Sequence, residues 1–99
     1  MDTIHAALTS PIAWKVTGGT RELGEWTPDD DDFCCEWNGL SAQVEQMSDN
    51  DWFFIVDFPE GRFHCYERDV RAMTRDAAMM LCEFIMRLHL ARKIEGRKR

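Results

Sequence analysis

The side chains best suited to chemistry are four cysteines (Cys34, Cys35, Cys65, Cys82), the histidines His64 and His89, and a dense set of carboxylates. Thiols and imidazoles together can hold zinc or form a nucleophile–base pair. The spacing argues against both uses. There is no C-x₂-C or H-x₃-H pair, and Cys34 and Cys35 are neighbours that on a strand point to opposite faces. Cys35 and Cys82 fall on faces expected to be core, where a thiol behaves as a small hydrophobe. No metal, no cofactor and no catalysis is therefore expected, and a small Cys–His enzyme ranks third among the functional readings.

The carboxylates make a stronger pattern. Glu22, Glu25, Asp29, Asp30, Asp31, Asp32, Glu36, Asp49 and Asp51 crowd the loops of the first half. Residues 1–60 hold 13 acids against two bases (Lys15, Arg21), a net of −11, whereas residues 61–99 hold five acids and ten bases, a net of +5. Carboxylates fixed along a sheet edge can imitate the phosphates of a nucleic acid and occupy a basic groove. The plainer alternative is a solvated run that only keeps the chain soluble. The loop lacks the Gly and terminal Glu of an EF-hand. At the other end Arg87, Arg92, Lys93, Arg97, Lys98 and Arg99 could touch phosphate, but no basic stripe is interleaved with aromatics, so direct nucleic-acid binding is not expected.

The elements that must position these groups follow from pattern and turn chemistry. Residues 74–93 contain no Gly or Pro and read as one long helix, capped by Thr74 or, alternatively, by Asp69, with Gly96 as its stop. At helical spacing Ala77, Met80, Leu81, Phe84, Leu88 and Ala91 share a stripe expected to face the core. Asp76, Glu83 and Arg87 form a narrow polar stripe expected to face water. Met79, Cys82, Ile85, Met86 and Leu90 lie between the two.

Asn38-Gly39 predicts a type I′ hairpin, since both turn positions need positive φ. A two-residue loop pairs Trp37 with Leu40, Cys35 with Ala42 and Phe33 with Val44, and puts all six on one face. Residues 48–51 read as a polar turn. Residues 52–58 are apolar at nearly every position and read as a strand covered on both faces. Pro59-Glu60-Gly61 turns the chain, with Gly61 expected in the left-handed region, into a strand over residues 62–67 whose register is left open. Ile12, Trp14 and Val16 alternate as a half-buried strand, and residues 20–26 suggest a second, irregular one. Asp2 can cap a helical turn over Ile4–Leu8 within an uncertain segment 1–11, and residues 95–99 read as a frayed basic tail.

The whole is expected to be one α+β domain over residues 1–99. It should be a mostly antiparallel meander of four to five strands with one long C-terminal helix across one face. There is no apolar run of about 18 residues and no signal-like start, so a cytoplasmic protein with reduced thiols is expected, without a membrane partner. Four Trp and six Met exceed what a one-sided sheet needs, which suggests a homodimer burying Met79, Met86, Leu90 and Trp52, unless the N-terminal segment folds over the second face. In size and charge, though in no motif, the chain is similar to small phage proteins that block CRISPR or restriction complexes. The leading reading is thus an acidic inhibitor of a basic, nucleic-acid-binding partner. An interaction or immunity protein working through an apolar surface ranks second.

Overall fold

A computed structural model describes residues 9–16 and 32–97. The elements run β1 (Lys15–Val16), β2 (Phe33–Trp37), β3 (Leu40–Ser48), β4 (Asp51–Phe58), β5 (Gly61–His64) and the helix α1 (Arg75–Arg97). The strands form one antiparallel sheet in the order β1-β2-β3-β4-β5, four full strands with the two-residue β1 at an edge. The helix packs on one face, so the fold is α+β. Among the described residues no helix is long and apolar enough to cross a membrane. The expected turns at residues 4–8 and strand at 20–26 lie outside the described residues.

The β2–β3 hairpin forms as its turn dictates. Asn38 and Gly39 take φ of 49° and 79°, and Phe33↔Val44, Cys35↔Ala42 and Trp37↔Leu40 are partners. The primed turn matches the right-handed twist of the strands, which fixes the register and hence the buried face. The β4–β5 hairpin closes with a two-residue loop, pairing Phe58 with Gly61 and Val56 with Phe63. Gly61 is not in the left-handed region, contrary to expectation; Gly39 is the only described glycine that is. Pro59 at the first loop position presets φ without help from a glycine after it.

The fifth strand stops at His64, short of the expected Glu67. The chain coils back through residues 65–69, with Asp69 at φ 56° and the Val70 N–H donating to the Cys65 carbonyl at 2.9 Å. Asp69 therefore belongs to this turn and not to a helix cap; a short polar side chain tolerates the left-handed region. The coil serves the first half of β4, which extends beyond β5. The Trp52 N–H donates to the Ala72 carbonyl (2.9 Å), and the Phe54 N–H reaches Cys65 Sγ (3.3 Å). Backbone groups that β5 leaves without a ladder partner are thereby satisfied.

The core lies between the sheet and α1. Cys35, Trp37, Leu40, Ala42, Val44, Trp52, Phe54 and Val56 from the strands meet Ala78, Cys82 and Met86 from the helix. Val44, Phe54, Val56 and Met86 are fully buried, each contributing about 1.5–3 kcal/mol of apolar transfer. Thr74 is the N-cap: its Oγ1 accepts from the Ala77 N–H at 3.1 Å, and Asp76 sits in the first turn where the helix dipole favours an acid. The helix runs through Gly96 to Arg97, so residues 95–97 are helical and Gly96 does not stop it.

Candidate interaction surfaces

The apolar stripe Ala77, Met80, Leu81, Phe84, Leu88, Ala91 exists on α1, but only Ala77 and Leu81 pack against the core, and its large members Met80, Phe84 and Leu88 face outward. Met80 and Phe84 are 67% and 62% exposed and Leu88 is 39% exposed, with Met73 exposed ahead of the first turn. The face turned to the sheet is the intervening one, Ala78, Cys82 and Met86 at i, i+4, i+8. The reason is size. The sheet presents the rings of Trp37, Trp52 and Phe54, so close packing wants small side chains opposite, and Ala78 and Cys82 let the helix approach. Phe84 in their place would hold it off.

Of the polar stripe Asp76 faces water, but Glu83 and Arg87 are half-buried. The Trp14 indole N–H donates to Glu83 Oε2 (2.9 Å), and Arg87 bonds Glu83 Oε1 (3.1 Å) and the Ser10 carbonyl (3.1 Å). The Arg87 guanidinium lies over the Trp37 ring, whose own N–H donates to Ser10 Oγ at 2.8 Å. This half-buried knot clamps residues 10–14 onto the helix, and Ile12 and Trp14 pack against the core beside it. The signal was present in the sequence as an i, i+4 acid–base pair and indole N–H groups in need of acceptors.

These placements move the expected self-association surface. Met86 and Trp52 are core residues, and Met79 and Leu90 pack at the core's edge. None of the four is the exposed apolar surface, which is the outer ridge of α1. Beside that ridge a cleft of about 280 Å³ opens between Phe58, Phe63, Leu88, His89 and Arg92.

Of the nine acidic residues, Glu22, Glu25, Asp29, Asp30 and Asp31 lie outside the described residues. Asp32 precedes β2; Asp49 and Asp51 flank the β3–β4 turn; Glu36 is exposed toward the opposite end of the sheet. Asp51 has a structural task, accepting a hydrogen bond from the Tyr66 hydroxyl at 2.8 Å. On β3, burial and then the nearby Asp32 charge push the Glu45 carboxyl above its ordinary range. Five of the arginines are engaged within the molecule, while Lys15, Arg92 and Lys93 are exposed. Arg71, Arg75, Arg68 and Arg87 lie over Tyr66, Phe33, Phe63 and Trp37, and Arg62 pairs with Asp57.

The thiols and imidazoles do not converge. Cys35 points into the core and Cys34 away from it, as neighbours on a strand must. Burial, then the neighbouring Cys34 and Glu83, push the Cys35 thiol up to about 12; burial, then Cys35 and Cys65, raise Cys82 as well. Such thiols stay protonated and unreactive. His64 sits edge-on to Phe53 across from the core, and His89 stacks on Phe58 with Nε2 2.7 Å from Glu60. Among the described residues no group of three or more His, Cys, Asp or Glu is placed to hold a metal ion. No protein-family model, curated protein or solved structure matches this chain.

Proposed function

We propose that this is a non-catalytic binding protein that sets its acidic surface against a basic partner, one that ordinarily holds nucleic acid. Small acidic phage inhibitors of CRISPR and restriction complexes act in this way. The supporting observation is the unequal use of charge. Arg62, Arg68, Arg71, Arg75 and Arg87 are held against rings and carboxylates of the same molecule, whereas no described cation lies within ion-pair distance of Glu36, Glu45 or Asp49. The negative surplus is thus left to act outward, where it speeds association with a positive surface.

Competition tests the reading. The chain should displace a labelled DNA duplex from a basic DNA-binding complex such as a CRISPR effector or a restriction enzyme, and displacement should weaken steeply with salt. Changing Asp29–Asp32 to Asn, with Glu36→Gln and Asp49→Asn, should weaken it at least about tenfold by removing charge at constant size. Displacement indifferent to both would overturn the reading.

A second reading is favoured by the outward ridge. Exposed Met80, Phe84 and Leu88 suit docking on an apolar protein surface. Binding of that kind should change little with salt and should be lost on Phe84→Glu.

A further inference from the structure

We propose that the outer ridge of α1 is closed by a second copy of this chain, the two helices antiparallel about a two-fold axis at Phe84. This deepens the second reading by naming the partner, and it is independent of whether the acidic surface meets a basic one. The ridge is self-complementary in order. Its exposed members Met80, Phe84 and Leu88 are spaced four and four residues apart, with half-buried Ala77 and Ala91 three residues beyond either end, while Leu81 packs against the core. An antiparallel two-fold sets Phe84 by its own counterpart, Met80 level with the partner's Leu88, and Ala77 level with the partner's Ala91. A two-fold interface requires a surface that matches itself in this way.

Charge selects the same orientation. The ridge carries no charged side chain, and the Glu83–Arg87 pair on its flank is already bonded to Trp14 and Ser10. Its ends differ: the first turn carries Asp76 paired with Arg75, without net charge, and the last turns carry Arg92 and Lys93 against Glu95, a net positive end. Antiparallel packing sets the basic end of each helix beside the uncharged first turn of the other and opposes the helix dipoles. Parallel packing would set Arg92 and Lys93 beside their own copies. The ridge spans about 21 Å, and Met80 can adjust to the facing surface because its side chain is unbranched. Ridges of this size expose on the order of 400 Å² per copy, so two of them with their flanks bury on the order of 1,000 Å², the lower bound for a specific interface. The dimer is therefore expected to be reversible and to dissociate at micromolar concentration.

Sedimentation equilibrium from about 1 to about 200 µM, with site-directed cross-linking, tests this. The wild type should pass from 11.6 kDa to twice that mass. Phe84→Glu should weaken association by at least about tenfold while keeping the wild-type circular dichroism spectrum, since the side chain is mostly outside the fold. Met80→Lys should do the same and serves if Phe84→Glu does not fold. A mixture of Ala77→Cys and Ala91→Cys proteins should cross-link between the two variants, and Ala77→Cys alone should not. A clean 11.6 kDa species throughout would overturn the proposal, because the ridge is then not closed by a second copy. A dimer indifferent to both ridge variants, or self-linking by Ala77→Cys alone, would overturn it equally.

Discussion

Helix α1 has two apolar faces made from similar residue types, and the molecule uses them differently. Ala78, Cys82 and Met86 face the sheet and are fully buried; Met80, Phe84 and Leu88, two residues further on in each turn, face away. Hydrophobicity does not separate the two sets. Shape does: the sheet's rings leave room for small side chains and one flexible Met, while a Phe is accommodated only on the far side. The Glu83–Arg87 pair then fixes the rotation, because its partners on Ser10, Trp14 and Trp37 lie along one flank. A helix that is apolar on nearly all sides is normally covered on all sides, which is why its outer face reads as an interface.

Substitutions can break or sharpen this contrast. The largest loss is expected for Met86→Ala, about 2–5 kcal/mol for a fully buried Met, measured by denaturant unfolding. A loss below about 1 kcal/mol would mean the inner face is misassigned. Next comes the hairpin that builds the opposing wall. At φ 79° Gly39→Val strains the backbone by on the order of 1–3 kcal/mol, although its Cβ would meet nothing within 4 Å. An unchanged melting temperature would remove the turn assignment.

The rotation itself is probed by Glu83→Ala, which removes the acceptor of the Trp14 N–H and the partner of Arg87. The carboxylate is half-buried, so a loss of about 1–2 kcal/mol is expected, against under about 0.5 kcal/mol for a residue on a solvated face. The smallest effect belongs to Glu45. Its folded carboxyl titrates above the unfolded one, so the folded state holds the proton more tightly. Its stabilising share is present below the unfolded value and is lost as pH rises through the folded one. Glu45→Gln should flatten that part of the stability curve, and an unaltered curve would contradict the cause assigned.

What was legible in the sequence was what local chemistry decides. The hairpin over residues 33–45 could be read to the register because Asn38-Gly39 and the alternation around it agree. The helix was legible for the same reason, with Thr74 as one of two candidate caps, but its end was not, since it runs through Gly96 to Arg97. The rotation of the helix was not, since apolar residues fill most of its circumference and only the sheet's rings choose among them. The end of β5 escaped because it is set by a tertiary contact, the Cys65 thiol beneath the Phe54 N–H, which no turn residue announces. Of the acidic site, only Asp32, Glu36, Asp49 and Asp51 fall among the described residues, and Asp51 proves to be a partner of Tyr66.

Phe84→Glu tests the central claim, that the outer face of α1 binds and does not fold, when its self-association and its stability are measured side by side. Sedimentation should show the dimer weakened at least about tenfold, while the melting temperature of the dilute monomer stays within a few degrees of wild type. A variant that melts far lower yet associates as the wild type does would place Phe84 inside the fold and contradict the claim.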